Sequence, residues 1–131
     1  APINVHWGGD NRSCGFRVPI SEAKDRRVEN RIAGADANPY LAIAASLLCG
    51  YIGMVERMIP PKALAGNAYN RARTLPRTLE GALDRFWNCK PVKRELGEEF
   101  FEVFYAIKQA ELYAYQSVIS SWEREYLLLK V

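Results

Sequence analysis

Glu29 stands between two arginines in the run Arg26-Arg27-Val28-Glu29-Asn30-Arg31. Alternate side chains of an extended backbone share a face, so Arg27, Glu29 and Arg31 point one way and Val28, Asn30 and Ile32 the other. Two further arginines, Arg12 and Arg17, lie just upstream in Asn11-Arg12-Ser13-Cys14-Gly15-Phe16-Arg17-Val18-Pro19. A guanidinium group holds phosphate or carboxylate oxygens through paired N–H donors and keeps its charge at any physiological pH. A hard divalent cation seeks carboxylate oxygens. Arginine, carboxylate and arginine in a row therefore suit a polyanion and a metal ion better than they suit a core. The plain alternative is a salt-bridged strand face, which contributes little when exposed.

One glutamate is not a metal site, and Asp10, Glu22, Asp25 and Asp36 are not spaced to complete it. His6 is the sole histidine and reads as structural. Cys14, Cys49 and Cys89 are odd in number and far apart, which argues against a zinc site or a disulfide framework and for a reducing cytoplasm. Arg71, Arg73 and Arg77 read as a solvated loop, and Tyr113, Tyr115 and Trp122 as packing or subunit-contact residues.

The composition, 49% hydrophobic and 25% charged, is that of a globular chain with one core. A net charge of +3 is too small to argue for nucleic acid. The distribution says more: residues 1–94 hold 15 Lys/Arg against 8 Asp/Glu, and residues 95–131 hold 3 against 7. No aromatic residues interleave with the strand arginines as a single-strand binder would need, so no nucleic-acid partner is expected.

The elements that must position these residues follow from periodicity and punctuation. Ile3–Trp7 and Cys14–Val18 alternate as strands, and Gly8-Gly9-Asp10-Asn11 between them predicts a β-hairpin. Arg27–Ile32 is the third strand. Asn38-Pro39 supplies a cap and a first-turn proline for a helix running to about Met58. Residues 38–55 are uncharged and marginally long enough to span a bilayer, but Pro39, Ser46 and two glycines favour a helix buried among others, with Cys49 an inert thiol on it; no membrane partner is expected. Pro60-Pro61 opens a long polar loop to residue 77. Thr78 caps a short helix over Leu79–Trp87, Pro91–Leu96 gives another ended by Gly97, and Glu98 to about Val118 is the second long helix, with Phe100, Val103, Phe104 and Ile107 in its seam. Ser120 and Glu123 form a capping box for a last helix ending near Leu128. The fold class is α+β, mainly helical: short N-terminal antiparallel strands in residues 1–33, then two long helices and short ones in residues 34–131.

Asn11-Arg12-Ser13, Arg17-Val18-Pro19, Arg27 to Arg31 and Gly34-Ala35-Asp36-Ala37-Asn38-Pro39-Tyr40-Leu41-Ala42 together resemble the C-terminal part of glutamine synthetase family catalytic domains. The likeness continues through Pro76-Arg77-Thr78-Leu79-Glu80 and Leu96-Gly97-Glu98 to Trp122-Glu123-Arg124-Glu125-Tyr126, essentially the whole chain. The resemblance implies an ATP-dependent ligase that forms γ-glutamyl phosphate from glutamate and lets ammonia or a polyamine displace the phosphate. It implies that Glu29 binds the magnesium or manganese bridging the nucleotide phosphates. Arg31 then holds the γ-carboxylate and the transferring group, Arg12 touches glutamate or phosphate, and Arg17, Arg27 and Lys24 lie on the nucleotide side, Lys24 in a loop one residue shorter than the family's. The context Trp7-Gly8-Gly9-Asp10-Asn11-Arg12 is more similar to the γ-glutamylputrescine synthetase branch than to ammonia users.

The family's other metal ligands, its flexible loop and its N-terminal β-domain lie upstream of such a segment. The chain opens on Ala1-Pro2 and reads as a piece of a longer protein, inactive alone. The resemblance further implies a cytoplasmic ring, commonly a dodecamer. Tyr69 sits where some bacterial members are adenylylated, but its flanks differ and packing is expected instead. A small anion- or nucleotide-binding module and a subunit-assembly module are the alternatives from other classes.

Overall fold

The computed structural model describes residues 1–128 and 130. About half of the chain is helical, with one small sheet ahead of the helices, an α+β arrangement. It divides into two compact units, Ala1–Pro76 and Arg77–Val131.

The first unit holds β1 (Trp7–Gly9), β2 (Phe16–Val18), β3 (Glu29–Asn30) and the long helix α1 (Pro39–Val55). The sheet order is β1-β2-β3. The antiparallel expectation is met between β2 and β3, where Arg17 lies opposite Glu29 and Phe16 opposite Asn30. It fails between β1 and β2, which run parallel with Trp7 opposite Phe16 and Gly8 opposite Arg17. Parallel strands ordinarily need a connection of a dozen residues or more. Here residues 10–15 suffice, because each strand is three residues long and the connection turns sharply. Asp10 takes φ 48°, and Asn11 Oδ1 accepts hydrogen bonds from the Ser13 amide (3.0 Å) and hydroxyl (2.7 Å).

What displaces the hairpin is the segment after residue 60. The Leu64 amide donates to the Trp7 carbonyl (2.8 Å), and the amides of Thr74 and Leu75 donate to the Ile3 carbonyl. The Trp7 indole donates to the Pro61 carbonyl (2.6 Å), and Asn11 Nδ2 donates to the carbonyls of Leu64 and Gly66. Asn4, fully buried, donates to the Ala68 carbonyl at 2.8 Å. The polar 60–77 stretch is thus laced to the N-terminal segment, and Asn4, Cys14 and Ala68 make a small polar-edged core.

Asn38 Oδ1 accepts from the amides of Tyr40 and Leu41, and Pro39 opens α1, as its sequence requires. The helix stops three residues short of Met58. The Met58 amide reaches back to the Gly53 carbonyl (2.8 Å) and the Arg57 amide to that of Met54 (3.2 Å), with Arg57 at φ 52°. This is a Schellman closure with arginine where glycine is preferred. Arg57→Gly is expected to stabilise the first unit by about 1 kcal/mol, read as a raised urea midpoint with unchanged slope.

The buried-helix expectation for α1 is not met within this chain. Of the α1 residues only Ile52 is buried, Cys49 is exposed, and Tyr40 and Met54 are 83% and 74% exposed. The helix is apolar nearly all round, and a sheet of eight residues can cover only a small part of it. Its tie to the sheet is polar: Asn30 Nδ2 donates to Ser46 Oγ (2.9 Å).

The second unit holds α2 (Leu79–Trp87), α3 (Lys90–Leu96), α4 (Glu98–Gln116) and α5 (Ser121–Tyr126). Thr78 caps α2 and Ser120 with Glu123 forms the capping box of α5, both as expected. Phe101 is fully buried and stacks on Phe86 with centroids 4.3 Å apart, and Leu83 of α2 is also buried. The α4 seam is rotated from the expected one: Phe101, Phe104 and Tyr105 meet the aromatic residues of α2, while Phe100, Val103 and Ile107 are exposed. Stacking on the rings of Phe86 and Trp87 brings in Phe101 and Tyr105, while Phe104 packs on Phe86 as expected.

The Lys93 ammonium lies 5.5 and 5.6 Å from the Trp87 and Phe101 ring centroids and pairs with Glu98 (2.9 Å) and Glu102 (3.1 Å). Hydrogen bonding to Lys93 holds the Glu98 carboxyl below its ordinary range, and hydrogen bonding to Glu98 raises the Lys93 ammonium. A depressed carboxyl stabilises the fold above its ordinary range and loses that contribution as pH falls through the folded value. Acidification from pH 6 to pH 3 should therefore lower the urea midpoint of the second unit less in Lys93→Met than in the native chain.

Candidate functional site

β2 and β3 bring Arg17 and Glu29 opposite one another, and their side chains close the pair at 2.7 Å (Nη1 to Oε2). Arg27 approaches the other carboxylate oxygen, with Nε 3.5 Å from Oε1. Three of the sequence-predicted residues thus meet on one face of the sheet. Hydrogen bonding from Arg17 holds the Glu29 carboxyl below its usual range and, reciprocally, raises the Arg17 guanidinium. Glu29 is a ready carboxylate, one-third exposed and flanked by cations.

Arg31 leaves this face. Its Nη1 donates to the carbonyls of Arg12 and Cys14, and its amide donates to the Gly15 carbonyl at 2.9 Å. Arg31 therefore braces the loop that carries Arg12. β3 is only two residues long, so strict alternation ends before residue 31. The Arg12 side chain is exposed at the rim of a cavity of ≈ 530 Å³ lined also by Asp10, Asn11, Ser13 and Asn67. Lys24 is not drawn in: on the turn Ala23–Asp25 it faces Glu22 at 3.5 Å, both well exposed.

The residue missed by sequence reasoning is Asp10. One of its oxygens accepts from Arg17 Nε at 3.0 Å and from Nη2, while its amide donates to the Val18 carbonyl (2.9 Å). A hairpin would put Asp10 in the turn, away from Arg17. The parallel register carries it alongside β2, and only knowledge of that register could have found it.

Among the described residues no group of three His, Cys, Asp or Glu is placed to hold a metal. The residues present do not make a divalent-cation site by themselves, although Glu29 has the ionisation and exposure of a single ligand. Burial pushes the Cys14 thiol up, so Cys14 is packing and not a nucleophile. Tyr69, half exposed, follows the Asn67 side-chain cap and donates to the Ala1 carbonyl at 3.3 Å. Arg71 and Arg73 are exposed.

This geometry is an arginine-rich wall in which two carboxylates, Asp10 and Glu29, are paired with Arg17, and Arg27 approaches Glu29. The profile described as glutamine synthetase, catalytic domain, matches residues 1–127. Gamma-glutamylethanolamide synthetase of Streptomyces coelicolor is 36% identical over 94% of this chain and 27% of its own length. Glutamate–isopropylamine ligase of a Pseudomonas species is 40% identical over 92% of this chain and 27% of its own length. Gamma-glutamylputrescine synthetase of Escherichia coli is 34% identical over 97% and 27%. The chain thus spans about a quarter of the length of these relatives. No helix among the described residues is long and apolar enough to cross a membrane. The arginine–carboxylate strands lie inside a match that takes in nearly every residue, and the chain belongs to the glutamine synthetase catalytic-domain family.

Proposed function

We propose that this chain is the phosphate-handling wall of an ATP-dependent glutamate–amine ligase. The observation that carries the reading is the meeting of Arg17, Glu29 and Arg27 across β2 and β3, with Arg31 bracing the Arg12 loop beside them, in a chain of this family. The names of the relatives pair glutamate or a gamma-glutamyl group with ethanolamide, isopropylamine and putrescine, and others are glutamine synthetases, which supports glutamate and an amine, ammonia or a polyamine, as substrates.

In this reading ATP phosphorylates the γ-carboxylate of glutamate, and the amine then displaces the phosphate. Arg17 and Arg27 bind nucleotide phosphate oxygens. Arg12 and Arg31 hold the γ-carboxylate and the transferring phosphoryl group, whose charge spreads over oxygens that fixed cations stabilise. For Arg31 this role requires an N–H left over from the loop carbonyls. Glu29 supplies one carboxylate ligand to magnesium or manganese, and the remaining ligands come from outside these residues. The 131-residue chain alone is then inactive. The exposed apolar side chains of α1 and α4 support their being covered by other protein surface; in this reading that surface belongs to a cytoplasmic ring of identical subunits.

The test is a chimera in which residues 1–127 replace the matched segment of the Pseudomonas glutamate–isopropylamine ligase. Phosphate release from ATP that requires both glutamate and an amine is the expected result, with isopropylamine, putrescine and ammonia compared as acceptors. A chimera that folds and assembles but releases no glutamate-dependent phosphate would contradict the reading.

A further inference from the structure

We propose that Asp10 is a built-in counter-ion that occupies Arg17 until a polyphosphate displaces it. The inference rests on the phosphate-binding role given to Arg17 above. Arginine has five N–H donors. Three of those of Arg17 are taken, Nε and Nη2 by a single oxygen of Asp10 and Nη1 by Glu29. The Arg17 side chain is only 15% exposed, against 50% for Asp10 and 32% for Glu29. Its side-on Nε–Nη2 edge, the fork that matches two oxygens of a phosphate, lies under Asp10.

Charge points the same way. Arg17 and Arg27 face Asp10 and Glu29, so the cluster is neutral and exerts little pull on an anion. Of the two carboxylates Asp10 is the one free to leave. Glu29 sits in the β3 ladder and is held from both sides, by Arg17 and Arg27. Asp10 lies beyond the end of β1, has Arg17 as its partner, and borders the ≈ 530 Å³ cavity that Arg12 also lines. When Asp10 swings off, an anion entering from that cavity meets the Arg17 fork. Asp10 thereby keeps a cationic site neutral between ligands and weakens binding to incidental anions.

Inorganic pyrophosphate is the probe, titrated calorimetrically into the full 131-residue chain without metal, with the Arg17 Nε–Hε resonance followed by 15N NMR. Asp10→Asn keeps the size and removes the competing charge. It should bind pyrophosphate roughly tenfold more tightly than the native chain, the worth of one charge-assisted contact. The gain should vanish in Asp10→Asn combined with Arg17→Gln. In the native chain, saturating pyrophosphate should move the Arg17 Nε–Hε signal, a readout that holds even if the variants do not fold. If Arg17→Gln weakens binding while Asp10→Asn gains nothing, the counter-ion role is wrong and the phosphate role of Arg17 stands. If Arg17→Gln changes nothing and the Nε–Hε signal does not move, both are overturned.

Discussion

Gly15→Ala should cost the first unit about 3 kcal/mol, the upper range for forcing atoms into a packed interior. A methyl group there meets the Asn4 carbonyl oxygen at 2.6 Å and the Ile32 side chain at 3.3 Å. The near atom is backbone and cannot rotate away. Asn4 is itself pinned, because its fully buried side chain holds the Ala68 carbonyl. The Gly15 carbonyl accepts the Arg31 amide, so any shift also moves the strand that carries Glu29. Gly9→Ala is the internal control: a methyl group there has open space within 4 Å, and its effect should stay within about 0.5 kcal/mol. Urea unfolding with amide NMR as the probe of residues 1–76 separates the two. Equal midpoints would contradict the close approach.

Glu29→Ala in the chimera should lower glutamate-dependent phosphate release by about 10²–10³-fold, the usual cost of removing one preorganised charged group from a phosphoryl-transfer site. The loss has two sources. In the proposed reading the carboxylate disappears as a cation ligand; Arg27 also loses its carboxylate partner, and Arg17 keeps only Asp10. Glu29→Gln keeps shape and hydrogen bonding in part but not charge, so it should fall nearly as far. Lys24→Ala should be close to neutral, since Lys24 meets only exposed Glu22. Fixed-time phosphate assays at saturating glutamate and ATP distinguish these outcomes. Strong activity in Glu29→Ala would remove Glu29 from the site.

Helix starts were the most legible feature. Asn38, Thr78 and the Ser120–Glu123 box satisfy orphan amides with side chains only a few residues away, so local sequence decides them. The β2–β3 pairing was legible only in part: alternation puts Arg27 with Glu29, but it does not encode the register that sets Arg17 against Glu29, and Arg31, expected on the same face, leaves it. The β1–β2 pairing was not. Gly8-Gly9-Asp10-Asn11 favours a turn locally, but Leu64, Gly66 and Ala68 contribute the bonding groups that hold Trp7 and the Asn11–Ser13 loop in place. Those partners lie more than fifty residues away, and no periodicity encodes them. Asp10 was lost with that register. The α4 seam was misread by about one residue, because apolar periodicity treats Phe100 and Phe101 alike, whereas ring stacking on Phe86 does not.

The family follows from the match over residues 1–127. The proposed catalytic role of this wall turns on whether γ-glutamyl phosphate forms against it. Hydroxylamine captures that intermediate as γ-glutamyl hydroxamate, independently of the natural amine. The decisive measurement is hydroxamate formation by the chimera from glutamate and ATP, with Arg31→Ala beside it. Hydroxamate should accumulate in the chimera and fall by about 10²-fold or more in Arg31→Ala. Undiminished hydroxamate in Arg31→Ala, or none from a folded and assembled chimera, would contradict it.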